Sequence, residues 1–222
     1  MTPIKNCILN KDTTTNPIWL MRQAGRYLPE FREIRKNNQD FIKLCLNENL
    51  SSEITLQPLK RFGFDAAIIF SDILMIPYGM NQEVNFEKNI GPKLGDLNID
   101  KIKEIDESSF TKKLNPIYKA ISQTSRSDLL NNKDLIGFVG APWTILVYMI
   151  NKMSPKKGLP QKLFNDFSLI NSLLDIIEKF IKLHIKNQID AGANIIQIFD
   201  SWAGLLENKI PEYIYKPTFN IV

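Results

Sequence analysis

The stretch Asp65-Ala66-Ala67-Ile68-Ile69-Phe70-Ser71-Asp72 decides the fold class of this chain of 222 residues. After Asp65 it is apolar up to Phe70, whereas a strand with one face in water would alternate apolar and polar residues. Two later runs have the same character, Leu135-Ile136-Gly137-Phe138-Val139 and Asn194-Ile195-Ile196-Gln197-Ile198-Phe199. Each run predicts a buried strand of a parallel sheet.

Helical patterns fill the chain between these runs. Residues 50–62 predict a helix that ends at Gly63, and apolar residues recur at helical spacing over 169–181, with Gly192 as the later stop signal. The segment 79–106 is rich in Asn and Gly and predicts a long excursion. Strands that alternate with helices indicate an α/β fold with parallel strands.

Polar and small residues follow each predicted strand. They are Ser71 and Asp72 after the first, 140–143 after the second and 200–204 after the third. In α/β barrels and open α/β sheets, the carboxyl ends of the strands carry the active site. Asp and Ser also cap helices, which is the simpler explanation for any single strand. The same pattern after all three strands favours a site.

An arginine-rich segment precedes the first strand: residues 17–35 read PIWLMRQAGRYLPEFREIR. Pro29 predicts the start of a helix. A guanidinium group binds a carboxylate or phosphate through two parallel hydrogen bonds. Arg22 and Arg26 have no acidic residue near them in sequence, so we expect them to bind an external anion. Their apolar and aromatic neighbours predict that this anion belongs to a large, flat or greasy molecule.

Arg32 has a different prediction. It lies close in sequence to Glu30 and Glu33, so we expect it to form surface ion pairs with them.

Composition excludes several classes of protein. The net charge of +4 comes from dispersed residues rather than a dense basic stripe, which argues against a nucleic-acid binder. No apolar run is long enough for a membrane span or signal peptide. Cys7 and Cys45 are far apart and form neither a disulfide framework nor a metal-ligand spacing, so we expect a cytoplasmic protein.

The arginine-rich segment resembles the N-terminal signature of the uroporphyrinogen decarboxylase family. Three further blocks resemble that family in the same order: 64–77, FDAAIIFSDILMIP; 137–150, GFVGAPWTILVYMI; and 192–206, GANIIQIFDSWAGLL. The resemblance runs over almost the whole chain from Pro17. It implies a (β/α)₈ TIM barrel that decarboxylates the four acetate side chains of uroporphyrinogen III, giving coproporphyrinogen III for haem biosynthesis. It also implies a homodimer that needs no metal or organic cofactor.

The resemblance assigns roles to individual residues. It implies that Asp72 contacts the pyrrole N–H groups and stabilises positive charge on the ring. Arg22 is implied to lie near the reacting acetate and to relay or position a proton. The remaining residues are implied to bind the substrate: Ala24 through its backbone N–H, and Arg26, Arg35, Tyr148 and Ser201 through their side chains. We interpret Asp200 as structural and His184, the one histidine, as a residue on the flank of a helix.

We expect residues 1–222 to be a single domain that forms the N-terminal portion of the barrel, since only about three of eight strands are recognisable. We therefore expect no decarboxylation by this chain alone and at most weak tetrapyrrole binding. Two alternatives remain open. One is a corrinoid or thiol methyltransferase of the same fold, which would need His and Cys ligands for zinc. The other is an inactive tetrapyrrole-binding fragment.

Overall fold

The computed structural model describes the whole chain except residues 12, 13, 15, 156, 157, 159–165 and 207–211. In chain order the helices and strands are α1 Pro3–Asn10, α2 Pro29–Asn37, α3 Phe41–Cys45, α4 Glu48–Arg61, β1 Ala66–Ile68, α5 Met75–Gly79, β2 Val84–Glu87, β3 Gly91–Leu94, α6 Ile99–Lys103, α7 Glu107–Ser125, β4 Asp134–Gly140, α8 Pro142–Asn151, α9 Phe167–Asp190, β5 Ile195–Phe199 and α10 Glu212–Asn220. None of the described helices is long and apolar enough to cross a membrane.

A parallel sheet forms the framework, with strand order β1-β4-β5. Ala67 of β1 lies beside Leu135 of β4 in a parallel register. The N–H of Asn194 donates to the carbonyl of Leu135 near the start of β5, and the N–H of Ala141 donates to Phe199 near its end, both at 2.9 Å. β5 therefore runs in the same direction as β4, and the three predicted strands are confirmed.

The chain divides into two compact units, each built from three segments. The first unit comprises Met1–Asp72, Asn115–Phe138 and Lys186–Gln197, and the second comprises Ile73–Leu114, Val139–Ile185 and Ile198–Val222. The interpretation of the chain as a single domain stays a prediction.

In the first unit, short helices pack around a core of Leu28, Phe31, Leu44 and Ile54. Asn47 begins α4, because its side-chain oxygen accepts the N–H of Leu50 at 3.0 Å and satisfies a donor that has no partner within the helix. α4 is confirmed as a helix, and α2 begins at the predicted proline. Gly192 follows α9 with φ of +116°, which explains why the chain turns there at a glycine.

In the second unit, the predicted excursion contains regular structure. β2 and β3 pair as an antiparallel hairpin, with Asn85 opposite Lys93. The side-chain amide of Gln82 donates to the carbonyls of Gly95 and Met149, both at 3.0 Å, and so ties the hairpin to the end of α8.

Every residue of β1 is buried, as the apolar run predicts, whereas every residue of β5 is only half-buried. Both strands lie at an edge of the described sheet, but α4 packs against β1. The prediction of a buried strand is therefore wrong for β5.

Candidate functional site

The arginine-rich segment is fixed to the start of β1 by hydrogen bonds. The N–H of Ile18 donates to the Asp65 carboxylate at 2.6 Å, and the N–H of Asp65 donates to the Ile18 carbonyl at 2.9 Å. The buried side chain of Gln23 accepts from the N–H of Leu20 at 2.8 Å and donates to the carbonyl of Ala66 at 2.9 Å. Gln23 and Asp65 therefore both anchor the segment, a role that the sequence pattern does not reveal.

Arg22 and Arg26 are exposed at the surface of this anchored segment. Within the part of the chain that the structure describes, neither guanidinium group has a hydrogen-bond or ion-pair partner. This agrees with the expectation that both are available to an external anion.

The prediction for Arg32 was wrong. Its guanidinium donates to the backbone carbonyls of Arg26, at 2.8 Å, and Tyr27, at 3.3 Å. Glu30 instead accepts two hydrogen bonds from Arg61, at 2.6 and 2.8 Å, and these lower the pKa of Glu30 to about 2. Arg32 thus supports the backbone beside Arg26, because α2 presents its side chain to the turn that precedes the helix.

Arg35 lies at the end of α2 and is half-buried. It donates to the carbonyl of Asn38 at 2.7 Å, and its guanidinium carbon lies 5.7 Å from the centroid of the Phe41 ring. Burial, followed by the positive charge of Arg26, lowers the pKa of Arg35. The two cations therefore lie close enough to repel each other, and an anion between them would relieve that repulsion.

Asp72 follows β1 and is half-buried. Burial, and then the negative charge of Asp72, raises the pKa of the Cys45 thiol well above its usual value, while the charge of Arg35 lowers it. Asp72 and Arg35 therefore lie within electrostatic reach of the same buried thiol. The structure brings Arg26, Arg35 and Asp72 into one region of the first unit.

Ala24 is half-buried and packs against the core cluster that contains Leu28 and Phe31. Its side chain thus faces the core of the first unit. The role of its backbone N–H stays a prediction.

Tyr148 and Ser201 belong to the second unit. The half-buried ring of Tyr148 packs edge-on against Trp202, with the centroids 5.7 Å apart. Ser201 is exposed, and the residues on either side of it are both hydrogen-bonded to Thr144. The indole N–H of Trp143 donates to the carbonyl of Trp202 at 3.2 Å and holds the same segment.

Asp200 is hydrogen-bonded within the fold of the second unit, and its interpretation as a structural residue stays a prediction. The Thr144 hydroxyl donates to its carboxylate at 2.7 Å. Burial raises the pKa of Asp200, and the hydrogen bond from Thr144 opposes that rise.

The interpretation of His184 as a helix-flank residue was wrong, since the side chain is buried in the core of the second unit. Its ring packs edge-on against Phe110, with the centroids 6.4 Å apart. Burial lowers the pKa of His184 to about 3, so the imidazole is neutral at physiological pH. Among the described residues, no group of three or more His, Cys, Asp or Glu side chains could hold a metal ion.

Comparison with known proteins identifies the family. The family model "Uroporphyrinogen decarboxylase (URO-D)" matches residues 1–221. The chain belongs to the uroporphyrinogen decarboxylase family. A uroporphyrinogen decarboxylase from Agrobacterium fabrum is 44% identical over 219 residues, which are 97% of this chain and 63% of the relative. One from Campylobacter jejuni is 46% identical over 201 residues, 89% of this chain and 59% of the relative.

The chain thus spans about three fifths of the length of these relatives, 63% and 59%. A methyltransferase from Methanosarcina mazei matches the structure with a TM-score of 0.75 at 15% identity, covering 96% of this chain and 63% of that protein. This likeness concerns the fold alone. The predicted fold class is confirmed: the described parallel strands and helices are part of the (β/α)₈ barrel of the uroporphyrinogen decarboxylase family.

Proposed function

We propose that these residues contribute to an enzyme that decarboxylates the four acetate side chains of uroporphyrinogen III, giving coproporphyrinogen III. The observation that supports this most is the grouping of Arg26, Arg35 and Asp72 in one unit, in a chain 44% identical to a uroporphyrinogen decarboxylase. The substrate carries several carboxylates around a macrocycle with inward N–H donors. Cationic side chains would bind the carboxylates at its rim, and an anionic side chain would accept hydrogen bonds from the N–H groups at its centre.

The reaction needs a place for the electrons of the bond that breaks. A proton adds to the pyrrole carbon next to the one that bears the acetate, and the ring becomes a cation with positive charge on the acetate-bearing carbon. The bond to the carboxylate then breaks, carbon dioxide leaves, and the electron pair neutralises the ring. A second proton adds to the exposed methylene carbon, and the ring proton is lost. Each acetate thereby becomes a methyl group with net uptake of one proton.

In this proposal, Asp72 accepts hydrogen bonds from the pyrrole N–H groups and stabilises the cationic ring, an electrostatic contribution that can dominate catalysis. Arg26 and Arg35 bind substrate carboxylates. Arg22 positions the proton source rather than acting as the acid, since the pKa of a free guanidinium is above about 12.

The remaining assignments concern contacts around the substrate. The Ala24 N–H, the Tyr148 hydroxyl and the Ser201 hydroxyl bind its polar groups. We also propose a homodimer in the cytoplasm that works without a metal or organic cofactor.

A chimera tests the proposal. Residues 1–222 are joined to the portion of the Agrobacterium fabrum relative that the match leaves uncovered, and the product is incubated anaerobically with uroporphyrinogen III. Chromatography of the oxidised products counts porphyrins with eight to four carboxylates. We expect coproporphyrinogen from the chimera and none from either part alone.

The same assay separates the alternatives. A chimera that binds uroporphyrin but forms no product with fewer carboxylates would favour a tetrapyrrole-binding role. A chimera that neither binds nor converts the tetrapyrrole would overturn the proposed function and leave a methyltransferase of the same fold as the candidate.

A further inference from the structure

The backbone of Phe70 is held by two side chains of α4. Its N–H donates to the hydroxyl of Thr55 at 2.9 Å, and its carbonyl accepts from the hydroxyl of Ser51 at 2.7 Å. The Thr55 hydroxyl also donates to the carbonyl of Ser51 at 2.7 Å. Ser51 and Thr55 are fully buried, with exposed fractions of 0% and 1%. Both polar groups of one backbone residue are thus satisfied by a neighbouring helix.

The hydrogen bonds of Ser51 and Thr55 to the Phe70 backbone form what we call the clamp. Because of where Phe70 lies in the chain, the clamp does more than satisfy buried polar groups. Phe70 lies just beyond β1, where the ladder to β4 ends with the hydrogen bond from the N–H of Ile69 to Ile136 at 3.0 Å. Two residues further along the chain lies Asp72. Beyond the end of the sheet ladder, the hydroxyl groups on α4 hold the backbone at Phe70, two residues before Asp72.

The side chain of Phe70 links the same point to Arg35. Its ring packs edge-on against Phe31 and Phe41, with centroids 5.7 Å away in both cases. The Phe41 ring also contacts the guanidinium of Arg35, whose central carbon lies 5.7 Å from the ring centroid. A shift of Phe70 would therefore move Asp72 through the backbone and disturb Arg35 through the Phe41 ring.

We propose that Thr55, assisted by Ser51, is a positioning residue that fixes Asp72 and, through Phe70, sets its distance from Arg35. The inference rests on the proposed function, because it concerns the carboxylate assigned to the cationic ring. A displaced carboxylate stabilises the ring cation less, while the arginines that hold the rim of the substrate still bind. Loss of the clamp should therefore lower turnover more than affinity.

The test compares Thr55→Val, which keeps the shape but removes the hydroxyl, with Thr55→Ser, which retains the hydroxyl. Near-ultraviolet circular dichroism checks that each variant folds. The first readout is amide hydrogen exchange in residues 1–222, followed by NMR. We expect Thr55→Val to lower the protection of the Phe70 amide by at least about tenfold, because that N–H loses its acceptor, while the amides of α4 keep theirs and Thr55→Ser restores protection.

The second readout is decarboxylation by the chimera, in the natural background and in an Asp72→Asn background. We expect Thr55→Val to lower kcat by at least about tenfold with KM nearly unchanged, and Thr55→Ser to recover most of the loss. With Asn at position 72 the same change should cost little more, because the two substitutions remove one effect.

The possible failures are distinct. Thr55→Val could lower kcat by the same factor in the natural and Asp72→Asn backgrounds, or lower amide protection equally throughout α4 and β1. Either result would mean that Thr55 only stabilises the fold and would overturn the inference. If the parent chimera does not decarboxylate, the proposed function fails. The exchange experiment then decides whether Thr55 holds the segment that carries Asp72.

Discussion

Thr144 and Asp200 are joined by a hydrogen bond of 2.7 Å between hydroxyl and carboxylate. The same hydroxyl oxygen accepts the backbone N–H of Trp202 at 3.0 Å, so one buried side chain holds both neighbours of Ser201. Ser201 is thereby presented to solvent on a backbone that is fixed on either side.

The first prediction concerns this hydroxyl. Thr144→Val should raise the pKa of Asp200 further, because the hydrogen bond that favours its ionised form is lost. It should also lower the free energy of unfolding by about 1–3 kcal/mol, because a partly buried carboxylate oxygen and a partly buried backbone N–H lose their partner. NMR titration of the Asp200 carboxyl carbon and urea unfolding measure the two effects.

Thr144→Ser is the matched control, since it keeps the hydroxyl, and both quantities should return towards those of the natural chain. The sign of the pH dependence follows from the raised pKa of Asp200. The folded state holds this proton more tightly than the unfolded state, so its contribution to stability is lost as pH rises through the folded pKa. Equal pKa values in the Val and Ser variants would contradict the prediction.

The second prediction uses His184, whose pKa falls from an ordinary 6.5 to about 3 on burial. The unfolded chain binds the proton more readily, so the stability contributed by the neutral ring is complete above 6.5 and is lost as pH falls towards 3. The slope approaches about 1.4 kcal/mol per pH unit within that window. Denaturant unfolding of the natural chain and His184→Leu from pH 7 to pH 4 measures it.

Carboxylates that both proteins contain contribute equally to their free energies of unfolding. Subtracting one free energy from the other therefore removes that contribution and leaves the contribution of His184. A stability difference that does not change with pH would show that His184 titrates normally in the folded chain, contrary to its burial beside Phe110.

The strands could be predicted from the sequence because a strand buried on both faces leaves a continuous apolar run, as in β1 and β4. The position of His184 in the helical pattern also indicates that it is buried. It continues the helical spacing of Ile177 and Ile181, both fully buried in α9, and its polarity alone suggested the flank.

The contacts that organise the candidate site could not be predicted in this way. Thr144 meets Asp200 across 56 residues of sequence, and Ser51 meets Phe70 across 19. Local spacing carries no information about such pairs. A helical threonine that bonds the segment after a strand has no sequence pattern that distinguishes it from any other helical threonine. Arg32 was misassigned for a related reason: its nearest acids in sequence are not its partners in space.

The third prediction concerns Asp72 and is made for the chimera. Asp72→Asn should lower kcat by about a hundredfold while KM changes by less than about threefold, because the negative charge matters most when the pyrrole ring is cationic. Steady-state kinetics with uroporphyrinogen III measure both constants. Asp65→Asn is not a suitable comparison, since Asp65 anchors the arginine-rich segment. Asp128→Asn offers a carboxylate of the first unit outside the candidate site. An unchanged kcat with a raised KM in Asp72→Asn would remove the assigned role.

The last prediction separates geometry from charge at Arg26. Arg26→Lys keeps the positive charge but replaces a planar fork with a point charge, so two parallel hydrogen bonds to a substrate carboxylate cannot form. One charge-assisted hydrogen bond contributes about 1.5–3 kcal/mol. The affinity of the chimera for uroporphyrin should therefore fall by about tenfold or more. The weaker hold should also release intermediates that still carry some acetates.

Arg126→Lys is the matched control, because Arg126 lies in the first unit and donates to Ser122 at 3.1 Å, away from the arginine-rich segment. Fluorescence titration with uroporphyrin measures affinity, and chromatography after partial turnover measures the distribution of intermediates. If Arg26→Lys matched Arg126→Lys in both, Arg26 would act only through its charge. The exposed guanidinium beside the Arg32-supported turn would then have no specific role in holding a carboxylate.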